Sequence, residues 1–385
     1  MVSRLGVAVV GFGWMGRVHT QAYVRVPHHF PQLSLRPELV AVADDVPGRA
    51  EEAAGRYGFA TAVRDWREIA VDPRVHAVSI AAPNFLHREI GVAMAEAGKH
   101  IWIEKPVGLT VEDARAVAGA VTKAGVRGTV GFNYRNAPAV AAARELIASG
   151  DIGTVTHVRI RLLSDYAAHP EGALTWRYER ERGGGGVLGD LASHGVDLAR
   201  FLVGEIESLA ADTAVFIPER ARPTSATAGH TRATGGAPGP VENEDYVNCL
   251  LRFASGARGV LEACRVSVGE QNNYGFEVHG TRGAVFWDFR RMGELRISRG
   301  TTYQDQPVST LHVGPGHGEY AAFQPGAANA MGYDDLKVIE AYHFLRSIED
   351  GTAYGPTLDD AVHSAAALDA MSGSAERRGW VSPVV

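Results

Sequence analysis

Only two cysteines occur in 385 residues, Cys249 and Cys264. Each lies in a strand-like run with neither metal-ligand nor redox spacing, so both read as core thiols of a reducing compartment. No lysine and arginine run is dense enough for a nucleic-acid or membrane-surface patch, and the net charge is −6. Both of those partners are therefore disfavoured. No apolar stretch is long enough to span a bilayer. Residues 1–10 hold one arginine and a short apolar run that leads straight into a glycine-rich turn, not into a small-residue cleavage site. That start reads as a strand, and the expected compartment is the cytoplasm. No internal repeat is present. What is there is ordinary for a soluble globular protein, 45% hydrophobic and 21% charged, with a length that suits two domains or three.

The first third alternates short apolar runs with helical segments. Strands are expected at residues 6–10, 39–43, 75–81, 100–103 and 128–132, and helices at 14–24, 51–57, 87–97 and 111–124. Strands alternating with helices imply βαβ units and a parallel sheet covered on both faces. The pattern changes after Tyr134. Val158, Ile160 and Leu162 alternate with polar neighbours, and so do Val247, Cys249, Leu251 and Phe253. Period-two alternation describes strands with one dry and one wet face. The second part thus reads as an α+β domain on a largely antiparallel sheet, ending in helices at 334–348 and 358–371, with Thr357 as N-cap and Asp360 three residues on. The expected domains are 1–132 and 133–385. Residues 27–37 and 218–240 read as insertions, the first rich in proline and histidine, the second in Ala, Thr, Gly and Pro. Loops of that length are usually functional or disordered.

Gly11, Gly13 and Gly16 fit G-x-G-x-x-G between an apolar strand and a helix. In that setting the first glycine makes the turn, the second lets the backbone approach a pyrophosphate, and the third lets helix and strand pack closely. The helix N-terminus then faces the phosphates, with Trp14 and Met15 in the same turn. Asp44 ends the second strand, where an acid binds the adenosine ribose. Asp45, Val46 and Pro47 follow, with no arginine or lysine beside Asp44 to meet a 2′-phosphate and Arg49 the nearest cation, so NAD is favoured over NADP.

Glu104-Lys105-Pro106 follows the strand at 100–103, at the carboxyl end where open α/β sheets bind ligands. Further on, Asp190 and His194 are four residues apart on a helix, followed by Asp197. A carboxylate beside an imidazole makes a natural general base. The same pair could be a surface ion pair or half of a metal site, but no further His, Glu or Cys shows ligand spacing and no metal is expected.

These motifs occur together and in order: the glycine turn, the Ala82-Pro83-Asn84 to His87 segment, Glu104-Lys105-Pro106 and the Asp190/His194 pair. In this the chain resembles the Gfo/Idh/MocA oxidoreductases, and within them the inositol and levoglucosan dehydrogenase branches. The resemblance covers nearly the whole chain, down to Met331-Gly332-Tyr333. It implies a Rossmann domain, a C-terminal α+β domain with a large open sheet, and a homodimer or homotetramer built through that sheet. It further implies a catalytic trio of Lys105, Asp190 and His194. Pro83, Asn84, His87, Glu104 and Lys105 would line the cofactor cleft, although His87 reads equally well as a first-turn residue facing solvent. Asn133, Tyr134, Arg135, Asp165, Trp176 and Arg177 would be substrate contacts, with Trp176 as readily a core aromatic as a sugar platform.

The activity implied is NAD-dependent oxidation of a secondary hydroxyl on a sugar, anhydrosugar, glycoside or cyclic polyol. Two other readings share this architecture: a glycoside hydrolase that oxidises and re-reduces its sugar with bound NAD, and a regulator that senses cofactor or sugar without turnover. An intact Lys105, Asp190 and His194 set argues against the regulator, which has no need of a base. Asp44 argues against a third reading, an NADPH-dependent reductase.

Overall fold

Apolar runs too short to bury themselves as helices become the strands of a parallel sheet in the first part of the chain. They are β1 (Ser3–Val10), β2 (Leu35–Ala43), β3 (Thr61–Val63), β4 (Ala77–Ile80), β5 (His100–Ile103) and β6 (Gly128–Val130), in the order β3-β2-β1-β4-β5-β6. All five pairings are parallel. Strand order reverses between β1 and β4, the switch point at which such sheets bind dinucleotides. The connecting helices are α1 (Trp14–His29), α2 (Arg49–Tyr57), α3 (Arg67–Val71), α4 (His87–Glu96) and α5 (Val111–Ala124). Their ends carry sequence-encoded caps. Thr110 accepts from the Asp113 amide at the start of α5, and Gly58 closes α2 in the left-handed region at φ 82°.

The computed structural model describes residues 3–224, 232, 233 and 235–385. It divides into two units, one of Met1–Asn136 with Gly332–Val362, the other of Ala137–Met331 with His363–Val385. The first thus extends past the expected boundary at 132 and takes in the helix Tyr333–Asp350. That helix packs on α1, with Phe30 stacked on Tyr342 at 3.8 Å between ring centres. The same packing removes the insertion expected at 27–37. Helix α1 runs through Pro27 to His29, and β2 has begun by Leu35. A proline in a last turn forfeits one backbone bond, and burial of Val26 and Phe30 on either side offsets it.

In the second unit eight strands form one sheet: β7 (Val155–Leu163), β8 (Ile206–Ala214), β11 (Tyr246–Phe253), β12 (Arg258–Cys264), β13 (Asn273–Gly280), β14 (Gly283–Asp288), β15 (Glu294–Arg299) and β16 (Ser309–His312). Their order is β16-β15-β14-β13-β7-β12-β11-β8, with β7 and β12 parallel and every other pair antiparallel. Alternation decides the faces. Val247, Cys249, Leu251 and Phe253 are buried, whereas Leu250 is 50% and its cross-strand partner Val260 37% exposed on the other side. The helices Pro138–Ala148 and Ser193–Val203 lie over the dry face. The expected 218–240 insertion is bounded by β9 (Glu219–Ala221) and β10 (Pro238–Pro240), an antiparallel pair, while residues 225–231 and 234 lie outside the described residues. Among the described residues no helix is long and apolar enough to cross a membrane.

Candidate active site

The glycine turn after β1 has the geometry its sequence implies. Gly11 has φ 85°, and a Cβ there would lie 2.6 Å from the Ala82 amide nitrogen. A Cβ on Gly16 would sit 2.1 Å from the Gly11 carbonyl oxygen, so helix and turn touch backbone to backbone. Gly13 is exposed and a Cβ there would meet nothing. No side chain caps the N-terminus of α1, which leaves its first amides as donors for an anion. At the end of β2, Asp44 accepts from the Phe12 amide at 2.7 Å and the Val46 amide at 3.0 Å, tying the glycine turn to the second strand. Arg49 Nη1 lies 3.2 Å from Asp44 Oδ1. The expectation that no cation adjoins Asp44 is thus corrected, since the first turn of α2 folds Arg49 back onto it. Trp14 is 60% exposed and stacks on Tyr333, whose hydroxyl lies 3.7 Å from Met15 Sδ.

The ends of β4 and β5 are stitched together by His87. It is buried, not solvent-facing, with Nδ1 2.8 Å from the Pro106 carbonyl and Nε2 2.8 Å from the Ala82 carbonyl. Burial holds its pKa below the usual value despite both carbonyls, so the neutral ring donates to one of them at a time. Pro83 and Asn84 are half-buried in the same stretch, and so is Lys105, which is joined to Pro106 by a cis bond. Glu104 differs from its expected place in the cofactor cleft. Its carboxylate is buried, bonded to His19 Nε2 at 2.9 Å and to Lys337 Nζ at 2.5 Å. Burial alone would raise the Glu104 carboxyl, but Lys337 and His19 outweigh it and hold it well below the carboxylate range.

In the second unit, Asp190 and His194 straddle a change of helix type. Leu188–Ala192 is a π turn and Ser193–Val203 an α-helix, so Asp190 occupies the wide turn and His194 the first narrow one. Such turns recur at functional sites because they re-aim one side chain without ending the helix. Tyr166 donates to Asp190 Oδ2 at 2.5 Å. Burial, followed by the Asp190 charge, pushes the phenols of Tyr166 and Tyr274 above their ordinary range, so both are neutral at physiological pH. The loop bearing Asp165 and Tyr166 is braced from the 218–240 segment, where buried Arg220 donates to the carbonyls of Ala167 and His169. This end of the insertion is therefore a brace and not a loose cover. Buried Arg265 donates to Asp245 and to the Asn243 side chain beneath.

The remaining expected contacts belong to both units. Asn133 and Tyr134 are buried in the first unit, and Arg135 pairs with Asp360 at 3.2 Å. Asp165 is half-buried beside Tyr166. Arg177 lies over the Trp176 ring at 4.4 Å, so the indole offers one face to a cation of its own chain.

Family models agree with both halves. One, described as an oxidoreductase family with an NAD-binding Rossmann fold, matches residues 5–132, and the GFO/IDH/MocA C-terminal domain matches residues 140–286. The chain belongs to the Gfo/Idh/MocA oxidoreductase family. The levoglucosan dehydrogenase of Pseudarthrobacter phenanthrenivorans is 38% identical to it over 99% of this chain and 98% of that one. The inositol 2-dehydrogenase of Rhizobium meliloti is 30% identical over 99% of both chains. A solved levoglucosan dehydrogenase in complex with NADH and levoglucosan superposes with a TM-score of 0.93 at 37% identity, covering all of both chains.

The cofactor of this Gfo/Idh/MocA oxidoreductase is NAD, and its turn fits the group. A cradle with no side chain at Gly13 and an uncapped helix end suit a diphosphate, while Asp44 stands where the ribose acid belongs. Sequence reasoning missed Tyr166, although it directly follows Asp165 at the end of a strand. It also missed Lys337 and Glu340. For these two a signal existed: charged residues one place beside Leu336 and Ile339, on the edge of an apolar stripe.

Proposed function

We propose that this protein oxidises one secondary hydroxyl of a compact, uncharged, polyhydroxylated ring to the ketone: an anhydrosugar of the levoglucosan kind, a pyranose or an inositol. The observation that carries the reading is the Tyr166–Asp190 hydrogen bond on the π turn that leads into His194. A polar cluster of that kind suits a ring with adjacent hydroxyls and rejects analogues that leave its groups unpaired. In the proposed roles, neutral His194 takes the hydroxyl proton. Lys105 donates a hydrogen bond to the same oxygen and favours its developing negative charge. Asp190, aligned by Tyr166, orients the imidazole and accepts from a neighbouring hydroxyl. Bound NAD supplies the chemistry of accepting the carbinol hydride. Full-length similarity to a levoglucosan dehydrogenase supports this choice of substrate class. Assembly of two or four copies through the wet face of the large sheet belongs to the same reading.

The test is steady-state kinetics with NAD across anhydrosugars, pyranoses, inositols, glycosides, aliphatic alcohols and 2-hydroxy acids. Multiple turnovers of NADH release on a free polyol are expected, and they exclude both a closed redox cycle and a non-catalytic sensor. A higher kcat/KM on a simple secondary alcohol or a 2-hydroxy acid than on every sugar and polyol would overturn the substrate class. In Lys105→Ala, turnover should fall by roughly 100- to 1000-fold with NAD affinity little changed.

A further inference from the structure

Four ionisable side chains meet in the dry interior of the first unit. Lys337 and Glu340 come from the helix Tyr333–Asp350, His19 from α1, and Glu104 from the end of β5. None exposes more than 8% of its side chain. Lys337 Nζ donates to Glu104 Oε1 at 2.5 Å and to Glu340 Oε1 at 3.1 Å. His19 Nε2 lies 2.9 Å from Glu104 and its ring stacks on Trp102 at 3.6 Å, while Trp102 Nε1 donates to Glu340 at 2.5 Å. The oxygens and imidazole nitrogen of His19, Glu104 and Glu340 lie close enough to hold a cation. Here the cation is the Lys337 ammonium itself.

So much buried charge is poor value for stability alone. Well-packed apolar residues of the same volume usually do as well or better. What this cluster does impose is position. Glu104 is fixed from two sides, and the next residue is Lys105. His19 stands three residues beyond Gly16, so the same bond connects the glycine turn to the end of β5.

We propose that Lys337 and Glu340 are positioning residues for Lys105: with His19 they clamp the Glu104 carboxylate, and so hold the strand end from which Lys105 projects in register with the dinucleotide turn. The inference rests on the reading of Lys105 above. Loss of the clamp leaves NAD binding intact and misplaces the lysine, so it appears in kcat before it appears in cofactor affinity.

The experiment uses the full-length chain as Lys337→Met, Glu340→Gln and Lys105→Ala. Kinetics and NAD titration are run well below each melting temperature. Lysines are reductively methylated with a carbon-13 label, and the Lys105 resonance is assigned by its absence in Lys105→Ala. Lys337→Met is expected to lose kcat on the order of 100-fold, as a displacement of about 1 Å can cause. Its NAD dissociation constant should stay within about twofold, and the Lys105 resonance should shift. Glu340→Gln keeps the shape and an acceptor, so it should fold, with a smaller loss and a smaller shift in the same direction. Wild-type kcat and an unmoved Lys105 resonance in folded Lys337→Met overturn the proposal; should that variant not fold, the same outcome in Glu340→Gln does so. Retained turnover in Lys105→Ala instead overturns the role of Lys105, and the resonance still reports whether the clamp positions it.

Discussion

Tyr166 and Asp44 show how much a single side chain carries here. The Tyr166 hydroxyl bonds a carboxylate at 2.5 Å, the short, charge-assisted kind of hydrogen bond. Tyr166→Phe removes the donor and keeps the ring, so kcat/KM for the preferred polyol should fall about 10- to 100-fold, the usual worth of a hydrogen bond to a charged group. An unchanged kcat/KM would leave Asp190 oriented by other means. Asp44 receives two backbone amides and Arg49. In Asp44→Ala those amides lose their acceptor and Arg49 its counter-ion. NAD affinity should drop and its advantage over NADP should narrow, read as the ratio of kcat/KM for the two cofactors. A ratio that stays put would mean that neither the Asp44 charge nor the released Arg49 decides the preference.

At the scale of elements, the helix Tyr333–Asp350 is the one whose value the sequence hid. Its apolar stripe was plain from Leu336, Ile339, Tyr342 and Leu345, and the capping box of the next helix was readable to the atom, with Thr357 and Asp360 exchanging bonds at 3.0 and 3.2 Å. Local patterns of that kind survive in sequence because their partners are three or four residues apart. One partner of Lys337, Glu104, is 233 residues away, and a place on the edge of an apolar stripe hints at burial without naming that partner. Strand β8 escaped notice for a related reason: an edge strand lacks the clean alternation that betrayed β7 and β11. The Asp190/His194 spacing was legible, but not the π turn, which depends on packing against the sheet. The buried cluster also makes a prediction about stability. Burial pushes Glu340 up to about 7, with Lys337 opposing. Between its ordinary value near 4.5 and 7, the folded protein holds a proton that the unfolded chain has released, so this group's contribution to stability falls as pH rises through that window. Glu104 has the opposite sign, contributing above its ordinary value and losing that contribution as pH falls. The melting temperature of Glu340→Gln relative to the wild type should therefore rise from pH 5 to pH 8, because glutamine needs no ionisation. A difference that is flat across that range would show that Glu340 is ionised throughout it in the folded protein, its pKa not raised by burial.

For the whole molecule the open question is what meets the wet face of the large sheet. Leu250 and Val260 stand directly opposite each other on β11 and β12, with Ala210 of β8 next in line. Around them Arg252, Arg258 and Asn248 are exposed. Apolar side chains in adjacent register near the β8 edge of a sheet face, rimmed by arginines, an amide and the carboxylates of Asp212 and Glu262, have the layout of an interface core and rim. Scattered surface leucines need no such explanation, but paired ones are harder to dismiss. A self-complementary patch about a two-fold axis brings each residue near its own counterpart. Leu250→Lys with Val260→Lys would then set like charges against like across a dry contact, a penalty that one copy alone never meets. The double variant should elute and scatter light as a smaller species than the wild type at equal concentration. Its circular dichroism and NAD affinity should be unchanged, since the Rossmann unit is untouched. If the wild type is already monomeric at micromolar concentration, or if the double variant keeps the wild-type mass, the sheet face is not the contact and assembly through it must be given up.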